Sequence, residues 1–290
     1  MLHHPTLADS LIDPARIDHP PRRDHGYLDV LGPESDEPVS VANRFMQSPL
    51  LAAIYERAWR PMFTRGFSYG GKSTLKAHTA LMDEIAGRGD HKILDVACGP
   101  GLYTRELAAQ LGTAGVCIGL DLSGPMLRRA VRDNSAERVD YIRGSAHSLP
   151  FADATFDTVV CLAALYLIPD PEQAVRELCR VAGPDGQIVV FTSLRTRAAS
   201  LPGVTTAMRI GGFRAFGRDE VTGWLRASRH IPSIPCGVSR RTSRLPTHRA
   251  RRPTQPDKWR IFNRLTRHSL NSKMVAAVHT AKTAPSRTYA

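Results

Sequence analysis

From residue 91 onward the chain alternates between two hydrophobic periods. Short runs rich in β-branched residues recur at 92–96, 116–121, 139–142, 156–161 and 187–191, which predicts five buried strands. Helical stripes fall between them: Tyr103, Leu107 and Leu111, then Met126, Leu127, Ala130 and Val131, then Ala174, Val175, Leu178 and Cys179. Asp170-Pro171 opens the third stripe with a cap and a first-turn proline. Strands alternating with helices over a hundred residues predict an α/β fold, Rossmann-like, with a doubly wound and mostly parallel sheet.

The flanks read differently. Residues 1–40 hold several prolines and little periodic hydrophobicity, so a disordered leader is expected there. A stripe through Leu50, Leu51, Ile54, Tyr55 and Ala58 is ended by Pro61, and Ser73 stands ready to cap a helix with Leu75, Thr79, Met82 and Ile85 on its inner face. Residues 41–90 are therefore expected to be a helical cap on a domain spanning 91–226, whose last helix runs from Asp219 through Val221, Trp224 and Leu225. Past residue 226 the pattern weakens, leaving one possible apolar element at 274–278. Closing strands are in doubt, and 227–290 is expected to be a basic, disordered tail.

Composition bounds the class. With 290 residues, 42% of them hydrophobic, the chain is long enough for one large domain with extensions. The longest apolar run, 159–168, is about half of what a membrane-spanning helix needs. The first thirty residues lack a signal-peptide stretch, and a cytoplasmic protein is expected. The five cysteines are odd in number and form no CxxC pair, so neither a zinc site nor a disulfide framework is expected. The net charge of +12 belongs to the tail: residues 227–290 hold 14 Lys and Arg against one acid, Asp257, while 1–226 hold 25 against 26. A polyanion-binding argument thus concerns the tail alone. Nothing in the chain speaks to oligomeric state.

The chemistry lies in Ile93-Leu94-Asp95-Val96-Ala97-Cys98-Gly99-Pro100-Gly101, which is followed by a helix, a strand and Asp121. A strand feeding a glycine turn and a helix exposes backbone N–H groups, and Gly99 and Gly101 permit close approach of a ligand. Asp121 ends the second strand, where an acid can hold both hydroxyls of a ribose. A dinucleotide fingerprint would need a third glycine where Thr104 stands. Asp95, at the mouth of the first strand, would also repel a pyrophosphate. An acid there suits a nucleoside ligand bearing an ammonium group and a cationic centre, as S-adenosyl-L-methionine does.

With these residues the sequence resembles the class I S-adenosylmethionine-dependent methyltransferases, in particular the ubiquinone/menaquinone-type and other small-molecule enzymes, over roughly residues 41–226. Leu94 to Gly101 carries the resemblance, together with Gly119-Leu120-Asp121-Leu122-Ser123 and Met126-Leu127, Leu149-Pro150-Phe151 before Phe156-Asp157, and Arg180-Val181 before Gly186. The resemblance implies that the 95–101 turn, with Ala97, Gly99 and Gly101, holds the methionine part. Asp121 would hold the ribose, and Leu122 and Met126 the adenine face, although Met126 also reads as core. Ser145 and Ala146 stand where an acid often meets the adenine amino group; Ser145 still offers an acceptor, a weaker one. Cys161 would border the cofactor at the end of the fourth strand. Substrate would lie over 161–166, where relatives often carry His in place of Tyr166. Tyr166 and His147 are the candidates for orienting substrate or moving a proton; the alternatives are a half-buried aromatic and a surface-loop histidine. By analogy the helix at 50–59 would close over the cofactor as a lid, with Tyr55 facing inward.

The apolar 161–168 segment suits a small lipophilic acceptor, and no Asn/Asp-Pro-Pro-Tyr or Pro-Cys motif follows the fourth strand to suggest the usual DNA enzymes. Two other readings stay open: a catalytically degenerate binder of the cofactor, and an RNA methyltransferase whose basic tail serves as an arm. Gly66 to Ser73 matches the phosphate-loop pattern GxxxxGK[ST], but no apolar strand precedes it, and a polar loop is expected. The tail itself admits three origins: a change of reading frame near Arg226, a true basic arm for nucleic acid, or a divergent strand pair.

Overall fold

The computed structural model describes residues 7–32, 82–87, 89–193, 214–217, 219–229 and 274–280, with isolated positions at 195, 203 and 206. The expected lid helix at 50–59 and the phosphate-loop-like segment at 66–73 lie outside the described residues. Eight strands form one sheet: β1 (Arg22–Asp24), β2 (Tyr27–Asp29), β3 (Lys92–Val96), β4 (Val116–Asp121), β5 (Val139–Arg143), β6 (Phe156–Leu162), β7 (Ala182–Ser193) and β8 (Met274–Thr280). Their order across the sheet is β1-β2-β5-β4-β3-β6-β7-β8. The run from β2 to β7 is parallel, and β1 and β8 are antiparallel edges. The five strands expected from periodicity are its centre, and the order reverses between β3 and β6, the place where open α/β sheets bind ligands.

Helices α1 (Leu102–Ala108), α2 (Gly124–Asn134), α3 (Pro171–Val181) and α4 (Glu220–Arg229) connect or follow these strands. Their starts follow from local chemistry. The Ser123 hydroxyl accepts from the Met126 N–H at the head of α2, and the Asp170 carboxylate accepts from the Gln173 N–H at the head of α3, with Pro171 in the first turn. Ala174, Val175, Leu178 and Val181 of α3 pack with Val221 and Leu225 of α4 on one face of the sheet, against Leu94, Val159, Cys161, Ile188 and Val190. Met82 and Ile85, on the inner face read from the sequence, cover the other face with Leu107 and Leu111, over Ile93, Cys117, Val160 and Val189. Burial from both faces is why the central strands read as near-continuous apolar runs.

Two segments depart from expectation. Residues 7–32 are not a disordered leader. They form a 3-10 turn at Pro14–Arg16 and the β1–β2 hairpin, whose two-residue turn His25-Gly26 has φ 46° and 89°. Two positive φ values in succession suit the twist of a tight hairpin. The hairpin adds to the β5 edge and is held by side chains too distant in sequence for periodicity to reveal. Arg23 donates to Asp140 at 2.8 Å, Arg143 donates to Asp29 at 2.9 Å, and Tyr27 packs with Leu127, Ala130 and Tyr141. The second departure is the tail, which is not wholly disordered: β8 pairs antiparallel with β7 from Gln187↔Thr280 to Ser193↔Met274. Its apolar core is the 274–278 element noted in the sequence. A sheet edge as apolar as β7 gains from such a partner.

Candidate active site

The turn after β3 is built from left-handed residues. Ala97, Gly99 and Gly101 have φ of 59°, 54° and 78°, a conformation that disfavours a Cβ and so makes Ala97 a point of stored strain. The two glycines serve different ends. A Cβ on Gly101 would run into the Tyr141 hydroxyl, whereas one on Gly99 would meet nothing within 4 Å. Packing thus demands glycine at 101, and at 99 the backbone borders open space. Asn134 holds the turn from outside, its Nδ2 donating to the Pro100 carbonyl at 2.7 Å, and the Tyr141 hydroxyl donates to the Asn134 carbonyl at 2.9 Å.

Two acids flank this turn on neighbouring strands. Asp95, the fourth residue of β3, is 1% exposed and accepts from the Thr104 hydroxyl at 2.7 Å. Burial pushes its pKa up to about 7, the Thr104 bond opposing and the Asp121 charge adding to the rise. Asp121 ends β4. Its Oδ2 accepts from the Gly99 N–H and its Oδ1 from the Ser123 N–H, each at 2.8 Å. Burial raises its pKa as well, against those backbone bonds. Among the described residues no cation pairs with either carboxylate.

These features fit S-adenosyl-L-methionine. Two acids sit at the carboxyl ends of adjacent strands, neither paired with a cation among the described residues, and an ammonium group and ribose hydroxyls would supply the missing charge and donors. Open space beside Gly99 gives the backbone room to meet them.

The remaining expected residues divide. Leu122 is half-buried, and its carbonyl accepts from Arg143 Nε at 3.3 Å. Met126 is 1% exposed on the inner side of α2, in keeping with its reading as core. Ser145 and Ala146 lie half-buried just past β5, and the Ser145 hydroxyl accepts from the His147 N–H at 3.2 Å. The Cys161 side chain is sealed in the core, where burial pushes its thiol up to about 12 and keeps it neutral. The His147 ring Nε2 contacts the Pro169 carbonyl, and Gln173 Nε2 donates to the His147 carbonyl at 3.2 Å. The loop after β5 is thereby fastened to the segment that links the turn Leu165–Leu167 to α3; Tyr166, in that turn, is buried, and its carbonyl accepts from the Arg214 N–H at 2.9 Å.

The sequence reading missed Thr104, seen there only as an absent glycine, and Tyr141 and Asn134 beneath the turn. Position was the available signal for Thr104: it falls in the first turn of the helix that follows Gly101. Tyr141 lies 40 residues from Gly101 in sequence and gave none. Among the described residues no cluster could hold a metal ion and no helix is long and apolar enough to cross a membrane.

Comparison with known proteins agrees with this geometry. Residues 94–190 match the family model described as a methyltransferase domain. An uncharacterized chloroplastic methyltransferase of Arabidopsis thaliana is 33% identical over 163 residues, 53% of this chain and 45% of that one. A demethylmenaquinone methyltransferase of Shouchella clausii is 38% identical over 134 residues, 45% of this chain and 54% of that one. In the solved complex between the Haloferax volcanii Trm112 methyltransferase activator and a protein described as a methyltransferase, one chain shares the fold. Its TM-score is 0.52 at 16% identity, over 81% of this chain and 97% of that chain. Residues 94–190 thus carry the methyltransferase domain that the family model describes. The chain spans about half the length of the curated relatives it matches.

Proposed function

We propose that the protein transfers the methyl group of S-adenosyl-L-methionine to a small, lipophilic acceptor. The observation that carries the reading is the pair of acids, buried Asp95 and half-buried Asp121, on adjacent strands beside a left-handed glycine turn, neither paired with a cation among the described residues. When bound, the cofactor supplies an electrophilic methyl group and its own leaving group. The protein's part is to bind, orient and exclude water. Asp121 accepts from the ribose hydroxyls while its backbone bonds hold it in place. Asp95, aimed by Thr104, accepts from the ammonium group.

On the acceptor side, the buried and largely apolar stretch Cys161 to Tyr166 offers a dry surface suited to a lipophilic molecule. The demethylmenaquinone methyltransferases among the similar proteins support the same class. His147 Nε2 lies against the Pro169 carbonyl. The His147 ring and the Tyr166 hydroxyl are the groups able to take or hold an acceptor proton. The cytoplasm is the compartment that suits buried free thiols.

The experiment is calorimetric binding of S-adenosylhomocysteine to the full chain and to Asp121→Ala. Micromolar binding that the substitution abolishes supports the reading. No binding by folded wild-type protein overturns it and leaves a degenerate domain. Methyl transfer to a demethylated prenylnaphthoquinol, against none to RNA, then tests the acceptor class.

A further inference from the structure

The strand order β5-β4-β3 gives the two acids a direction. S-adenosyl-L-methionine is built in line as amino acid, sulfur, ribose and base. With the ammonium at Asp95 on β3 and the ribose at Asp121 on β4, the base falls one strand further, on the loop that follows β5. Ser145 and Ala146 lie half-buried at the start of that loop.

One face of α3 holds the loop. Gln173, Glu177 and Arg180 are spaced by four and three residues, which aligns them on the helix, and together they meet every second residue from 147 to 153. Gln173 Nε2 donates to the His147 carbonyl at 3.2 Å. Glu177 Oε2 accepts from the Leu149 N–H at 2.8 Å. Arg180 donates to the Leu149 carbonyl at 2.9 Å, to the Phe151 carbonyl at 2.7 Å and to Asp153 at 2.9 Å. The Arg180 guanidinium also grips both oxygens of Glu177, each at 2.7 Å, and the two side chains are only 15% and 10% exposed. Charge-assisted, two-pronged contacts of this kind fix geometry as well as adding energy. From the opposite side the Asp13 N–H donates to the Pro150 carbonyl at 3.0 Å, so the loop keeps a second anchor.

We propose that Gln173, Glu177 and Arg180 are positioning residues for the base of the cofactor: they hold the loop after β5 in its binding shape before the ligand arrives. They act through the loop backbone. A loop ordered in advance spares the entropy of ordering it on binding. A loosened loop therefore weakens a ligand that carries the base and leaves one without the base unaffected. The inference rests on the reading of Asp95 and Asp121 as cofactor ligands.

The test compares, by calorimetry on the full chain, S-adenosylhomocysteine with S-ribosylhomocysteine, which carries a hydroxyl in place of the base. Wild-type protein binds the first at least about tenfold more tightly. Arg180→Lys keeps the charge but cannot span two carbonyls and two carboxylates. It lowers S-adenosylhomocysteine affinity about tenfold while S-ribosylhomocysteine stays within about twofold. Gln173→Ala removes the bond to the His147 carbonyl and lowers the same affinity about threefold, with the same selectivity. An equal fall for both ligands marks a merely structural role and overturns the proposal. So does unchanged affinity for both, or a wild-type protein that does not prefer the ligand with the base. If Arg180→Lys does not fold, Gln173→Ala decides alone. Failure of folded wild-type protein to bind S-adenosylhomocysteine at all refutes the cofactor-site reading itself, a result distinct from these.

Discussion

Asp95 is a carboxyl group that the fold holds near the midpoint of its titration at neutral pH. Burial raises it from an ordinary value near 3.8 to about 7, so the native state binds a proton that the unfolded chain releases across that window. The linkage sign follows: stability of the ligand-free protein falls as pH rises from about 4 to about 7. Ligand binding runs the other way, because only the ionised carboxylate pairs with an ammonium group. We predict that S-adenosylhomocysteine affinity rises with pH from about 5.5 and levels above about 8, while Asp95→Asn shows no such rise; calorimetry across pH checks both. Thr104→Val removes the one hydrogen bond that favours the charged form. It should move the inflection to higher pH and cost about 1–3 kcal/mol in urea denaturation. Asp95 was legible from its place at the end of a strand before glycines. Its partner was not, because a hydroxyl in a helix declares nothing about which side chain it faces.

The N-terminal hairpin is the element whose role differs most from the sequence reading. Three-residue strands carry too few positions for alternation to register, and a proline-rich surrounding masks them. Tyr27, Leu28 and Val30 are nevertheless buried, and a Cβ on Gly124 would lie 3.1 Å from the Tyr27 hydroxyl, so the hairpin backs the first turn of α2. Tyr27→Ala should therefore destabilise the whole domain by about 3–5 kcal/mol, read from the denaturation midpoint. A disordered leader would show no change. The helices behaved otherwise: α3 begins where Asp170 predicted, since a cap is a local interaction between residues three apart.

For the whole molecule, the decisive feature is how the sheet ends. β8 pairs with β7 over seven residues across a segment of strongly basic sequence. A chain stopped at residue 230 should melt at lower temperature and aggregate more readily than the full chain, because an apolar parallel strand becomes an edge. Scanning calorimetry and light scattering would register both. If 227–290 served only as an arm for nucleic acid, truncation would leave the melting temperature unchanged and abolish a salt-sensitive RNA affinity.

Local pattern was enough to read the strand and helix alternation, the cap at Asp170, the glycine turn and the spacing from Asp95 to Asp121, because each rests on residues near one another in the chain. From these alone came the α/β class and the nucleoside cofactor. Tertiary structure decided the rest. Tyr141 forbids a side chain at Gly101 from 40 residues away, and Arg23 and Arg143 join the hairpin to β5 across 117 and 114 residues. β8 pairs with β7 although the two strands are far apart in the sequence. Such contacts depend on which strands become neighbours, and strand order is set by packing the whole sheet between its helices, not by the sequence of any one strand.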